Sequence, residues 1–190
     1  MAVATMTFGA PSALAGDTEC RGTLGPVTIV GTLIVPDDAT CILSGTQVQG
    51  TIVVKSRANL DATNVTATGG LQGESPASVV ISNSSFGNSI SLRKAEDVNN
   101  PAAGKIDISG TYINGDVQLE DNREPISLRG NEIVGSIQAN KNVGGLEITG
   151  NLIGNDLQCQ DNTPAPVGSG NIAKQFQRQC PSPQFGTTAA

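Results

Sequence analysis

The chain has 190 residues and a formal charge of −6, from 11 basic and 17 acidic side chains, with no histidine and no tryptophan. The acidic balance excludes a nucleic-acid groove, which needs a basic surface. The missing imidazole excludes His-dependent catalytic triads, imidazole metal sites and the usual pH switch.

The N-terminal stretch "MAVATMTFGAPSALAG" is mildly apolar and has no basic start. Ala13-Leu14-Ala15 fits the small-x-small pattern of a signal cleavage site. We therefore read residues 1–15 as the remnant of an export signal, 16–180 as one folded domain and 181–190 as a flexible tail. No run approaches the roughly 18 apolar residues that a transmembrane helix needs. Four cysteines follow: Cys20, Cys41, Cys159 and Cys180, with both the first and the second pair 21 residues apart. An even count in an exported chain predicts two disulfides. With no C-x-x-C pair and no histidine, no metal site is expected, nor any cofactor.

From residue 22 onward the chain repeats. "IDISGTYINGDVQLEDN", "ISLRGNEIVGSIQANKN" and "LEITGNLIGNDLQCQDN" begin at Ile106, Ile126 and Leu146. Earlier lines begin at Gly22, Cys41, Leu60 and Val79, and a last one at Val167, giving steps of 19, 19, 19, 27, 20, 20 and 21. A period in this range predicts a solenoid. Numbering each line from its anchor, apolar residues fall at positions 1, 3, 8, 12 and 14, and spacings of two are strand spacings. Position 8, for example, holds Ile29, Val48, Ala67, Phe86, Ile113, Ile133 and Ile153.

Positions 5 and 10 are mostly Gly or Asn, the residues that reach left-handed backbone angles cheaply, so they predict corners. The fold class expected is all-β: a single-stranded, right-handed parallel β-helix of about eight coils. Inward columns become aliphatic ladders, with coils about 4.8 Å apart. Outer ladders are polar and include Gln118, Gln138 and Gln158, and also Asn122, Asn142 and Asn162, whose amides can bond rung to rung. The long step places one side loop at 93–105, and after Val167 the pattern decays into a cap.

The same register gives the cysteines a geometry. Cys159 is at position 14 of its line, and Cys180 is at position 14 counted from Val167, so they stack one coil apart. Cys20 lies just before the coil beneath Cys41. The pairing expected is Cys20–Cys41 and Cys159–Cys180, because any other joins opposite ends, far beyond disulfide reach.

The repeat I-x-[IL]-x-G-N-x-I-x-G-x-I-Q, with "GNDLQCQDNTPAPVGSGN" and a final "RQC", resembles a family of small exported bacterial proteins, mostly of unknown function. The resemblance spans residues 20–180 and is most specific at "LQCQDNTPAP". It implies a right-handed parallel β-helix and export, and supplies no catalytic residues.

One cluster offers chemistry. Asp107 and Glu147 share outward position 2, two coils apart, and Arg129 lies between them at position 4. Acid, arginine, acid on one face suits a lyase that binds Ca²⁺ and a uronate, with Arg129 as base. Equally, it suits a surface salt-bridge cluster. The column Lys55, Glu74, Arg93, Glu120 alternates in sign, as a stack that avoids like charges in register does. Ser44, Thr63, Ser82, Ser109 and Thr149 form an outward hydroxyl column interrupted by Arg129. The aromatics available for stacking on a sugar are few: Tyr112, Phe176, Phe185 and an inward Phe86. The expected function is a secreted, non-enzymatic scaffold with a structural or binding role toward a cell-surface or extracellular glycan or protein. The alternative is a small polysaccharide lyase acting on acidic glycans.

Overall fold

The computed structural model of the chain describes residues 13–97 and 104–181, with side chains from Gly16. The described residues form a parallel β-solenoid of about eight coils and contain no helix. Three parallel sheets make its faces. Each full coil contributes one strand to each face in a fixed order. In one central coil these are Ile126–Arg129 to sheet C, Glu132–Ile133 to sheet A and Ile137–Asn140 to sheet B. The same residues of the next coil pair directly above: Ile126 with Leu146, Ile133 with Ile153 and Ile137 with Leu157.

The inward columns are buried. Ile113, Ile133 and Ile153 stack in register as the repeat predicts, each almost wholly removed from water. A coil alone cannot cover these side chains. Burial at about 0.8 kcal/mol per CH₂ is gained only when coils stack. Volume is traded between neighbours. Ala62, Ala67 and Gly73 in one coil lie directly beneath Ile81, Phe86 and Leu92 in the next. A Cβ on Gly73 would come within 2.7 Å of Leu92 Cδ2. Small rungs beneath large ones keep the interior close-packed.

The corners follow three different rules. Position 5 is left-handed, with φ of 66° at Gly45, 54° at Asn64 and 59° at Gly130. Position 10 is not, apart from Gly31. There glycine answers to crowding: a Cβ on Gly50 would press into the Gly31 carbonyl oxygen. A third corner, unmarked by glycine, uses left-handed Ser75, Lys94, Asp121, Lys141 and Asp161, with φ between 52° and 55°.

In the later coils, the residue after a left-handed corner carries an inward N–H that no strand ladder reaches. Two internal amide ladders satisfy these groups. After the third corner, Asn122 N donates to Asn142 Oδ1 at 3.2 Å and Asn142 N to Asn162 Oδ1 at 3.0 Å. After position 5, Thr111 N, Asn131 N and Asn151 N each donate to the side chain above, Asn131, Asn151 and Asn171 in turn, all at 3.0 Å. Asn122, Asn142 and Asn162 are therefore inside the solenoid, not on the polar exterior expected from their chemistry. An amide is tolerated there because it is fully hydrogen-bonded.

Both expected disulfides are present. Cys20–Cys41 has a Cα separation of 5.5 Å and Cys159–Cys180 one of 5.1 Å. The register behind the second needs correcting. Val167 lies opposite Glu147, not Leu146, and Cys159 lies opposite Arg178. Cys180 reaches its partner from two residues further on, past a left-handed Arg178 with φ of 60°. The cap after Val167 is itself a rung: Gln175–Arg178 adds a ninth strand to sheet B. In the 93–105 segment, Arg93 is still strand and 98–103 lie outside the described residues. So do 1–12, most of the expected export segment, and 182–190, which include Phe185. Ala13–Ala15 pair with Thr28–Val30 at the start of sheet A.

Candidate functional site

Sheet C carries the acid–arginine–acid cluster. Asp107, Ser127 and Glu147 stack on consecutive strands in one outward column, and Ser109, Arg129 and Thr149 stack in the next. Alternation along the strand turns both columns outward, so the long Arg129 side chain reaches diagonally both ways. Its Nη2 lies 3.0 Å from Asp107 Oδ2 and its Nη1 3.5 Å from Glu147 Oε2. Ser127 Oγ donates to Glu147 Oε2 at 3.4 Å, and Lys105 Nζ approaches Asp107 Oδ2 at 3.9 Å. Asp107 Oδ1 is buried without a hydrogen-bond partner among the described residues. The cluster borders a shallow depression of about 370 Å³.

The structure thus brings together the three residues singled out in the sequence. It also shows what holds them. Both terminal nitrogens of the guanidinium face carboxylates, so the side chain is engaged on both sides. The arrangement suits a clamp better than a base. Arg129 and Glu147 are close to half-exposed, a setting in which ion pairs contribute little. Arg129→Ala and Glu147→Ala are each expected to change unfolding free energy by less than about 1 kcal/mol, measured by urea denaturation. A loss several times larger would make the cluster a structural element of the fold.

The alternating column on sheet B stacks in register, Glu74 beside Arg93 and Arg93 beside Glu120. Arg93 Nε lies 3.5 Å from Glu120. Glu74 instead accepts from Lys94 Nζ at 2.9 Å, around the corner, and this bond holds the Lys94 ammonium above its ordinary value of 10.5. A similar pair sits two coils earlier on the same edge. Arg57 grips Asp38 with Nε at 2.6 Å and Nη2 at 2.7 Å, and depresses the Asp38 carboxyl below its ordinary 3.8. The hydroxyl column also forms, with Thr63 and Ser82 oxygens 3.0 Å apart. Phe86 is fully buried, and Phe176 packs partly against the core opposite Leu157. Tyr112 remains 40% exposed. No group of three or more His, Cys, Asp or Glu able to hold a metal ion occurs among the described residues.

Sequence reasoning missed one feature. A trough of about 560 Å³ lies over sheet B across four rungs, lined by Gly70, Ser89 and Ser91 and by the charged column of Lys55, Glu74 and Arg93. The signal was available as Ser91 in an outward strand position, with Gly70 and Ser89 just before their strands. It was hidden because smallness in a solenoid reads first as a corner.

No family model, no curated protein and no solved structure matches the chain.

Proposed function

We propose that the protein is an exported, non-enzymatic β-solenoid scaffold that acts outside the cell in a structural or binding role. The observation that carries this reading is the pair of disulfides, one at each end of the stack. Such bridges persist in oxidising compartments. In a solenoid they protect the coils that have a neighbour on one side only. The Ala13-Leu14-Ala15 sequence and the likeness of "LQCQDNTPAP" to small exported bacterial proteins, a right-handed β-helix family, support export from a bacterium.

The alternative, a small polysaccharide lyase acting on acidic glycans, draws on the gathering of Asp107, Arg129 and Glu147. The double pairing of Arg129 favours the scaffold, because both terminal nitrogens are already held by carboxylates of this chain and not turned toward a substrate. One assay separates the two. The protein is incubated with polygalacturonate and with alginate in the presence of Ca²⁺, and the ultraviolet absorbance of unsaturated product is followed. A flat trace is expected. A rising one that disappears in Arg129→Ala would establish the lyase. Export is tested separately by expressing the full chain in a bacterial secretion host. The culture medium should contain a product with both disulfides formed and its N-terminus at Gly16.

A further inference from the structure

We propose that the trough over sheet B binds a linear, uronate-bearing polysaccharide laid along the solenoid axis. This rests on the extracellular binding role proposed above and gives that role a surface and a ligand class.

The trough spans the strands Ile52–Val54, Leu71–Glu74, Ile90–Arg93 and Val117–Glu120, which pair consecutively. At about 4.8 Å per rung it is roughly 14 Å long. Extent along the axis over four consecutive rungs suits a polymer rather than a compact ligand. The side chains of Gln72, Ser91 and Gln118 line it and make no hydrogen bond to other described residues. Their free donors and acceptors recur once per rung, close to the rise of one pyranose in an extended 1,4-linked chain.

The charge pattern narrows the class. Lys55 and Arg93 stand on the same side, two rungs or roughly 10 Å apart. In a two-fold extended chain, every second sugar presents its substituent to the same side. Lys55 has no carboxylate partner among the described residues. Glu74, between the two cations, is held by Lys94 at 2.9 Å, and Arg93 is shared with Glu120 at 3.5 Å, which leaves Lys55 as the uncompensated cation of the trough. The net charge of −6 is screened beyond about 8 Å at physiological ionic strength, so nearby cations decide the local preference. A peptide strand fits less well. Strand addition needs a free sheet edge, and here both edges of each strand are already paired.

The test is affinity electrophoresis of the full chain in native gels containing alginate, polygalacturonate, neutral glucomannan or dextran sulfate. Retardation by a polyuronate is expected, weakened about tenfold in apparent Kd by Lys55→Glu and by Ser91→Trp, and unchanged by Arg129→Ala. Circular dichroism confirms that each variant is folded. As a readout needing no variant, oligouronate should shift the NMR signals of Gln72, Ser91 and Gln118 in the native protein. Retardation only by glucomannan, equal retardation by dextran sulfate, undiminished binding in both trough variants, or shifts confined to another face would each overturn the proposal. Absence of binding together with absence of unsaturated product would remove the trough ligand and leave the scaffold reading standing. Unsaturated product would remove the scaffold reading whatever the trough binds.

Discussion

Replacing Asn142 by alanine is expected to destabilise the protein by about 3–5 kcal/mol. Asn142 is 1% exposed and uses its amide completely. Its Oδ1 accepts from Asn122 N at 3.2 Å and from Asn122 Nδ2 at 2.9 Å. Its Nδ2 donates to Leu119 O at 3.1 Å and to Asn162 Oδ1 at 2.9 Å. Alanine removes all four bonds. It leaves the Asn122 N–H with no acceptor, since the corner turns that group away from every strand. Each buried group so stranded costs about 1–3 kcal/mol, and a small cavity adds to it. Asn142→Asp should be at least as damaging at neutral pH, because an ionised carboxylate cannot donate and is costly to bury. Gln138→Ala, on the outer face of the same coil, should be nearly silent. Urea unfolding of the three variants checks this. Equal stability of Asn142→Ala and Gln138→Ala would show that the amide ladder does not set the corner.

That contrast marks what is legible in a solenoid sequence. Ile133 and Ile153 announce themselves, because apolar residues at a fixed step have one explanation, and the structure stacks them. Asn142 does not. In most chains a polar residue beside Lys141 is a surface residue, and periodicity alone gives a column without saying which way it faces. The clue lay in the neighbours. Lys141, Asp121 and Asp161 are left-handed at 55°, a conformation that their residue types do not advertise. Once a corner turns there, the following N–H points inward and an amide becomes the economical partner. Gly130 before Asn131 and Gly150 before Asn151 state the same rule openly, and the second ladder could have been read from them. The slip at Val167 has a different origin. The prolines at 164 and 166 and the glycines at 168 and 170 break the strand pattern, so counting from an apolar anchor runs one residue out. As for chemistry, Asp107, Arg129 and Glu147 were found because position arithmetic is reliable mid-stack. What it cannot supply is the pairing that engages both ends of the guanidinium.

Removing the second bridge, by Cys159→Ala with Cys180→Ala, is expected to cost about 3 kcal/mol in the chain-entropy estimate for a loop of this length. The loss should be local. In a linear array each coil is stabilised by its neighbours, so loosening an end coil propagates inward only as far as the interfaces yield. Here the bridge also holds a cap in place. Gln179, adjacent to Cys180, accepts from Asn162 N at 2.8 Å through Oε1 and donates to Asn162 O at 3.2 Å through Nε2. It closes the amide ladder that runs from Asn122 through Asn142 to Asn162. Without the bridge, Gln179 is free to leave and the last rung of that ladder is exposed to water. Gln179→Ala should therefore cost clearly less in the bridge-free protein than in the native one, and the shortfall measures the coupling. Hydrogen exchange should accelerate first at 160–180, while Ile113 and Ile133 stay protected. Reduction of both bridges should add early exchange at 20–40, the other end of the stack. Uniform acceleration along the chain would mean that the solenoid unfolds as one unit and that the bridges are not end staples. A peptide linking Cys41 to Cys159 under non-reducing conditions would defeat the stacking itself, because those residues belong to coils too far apart to meet.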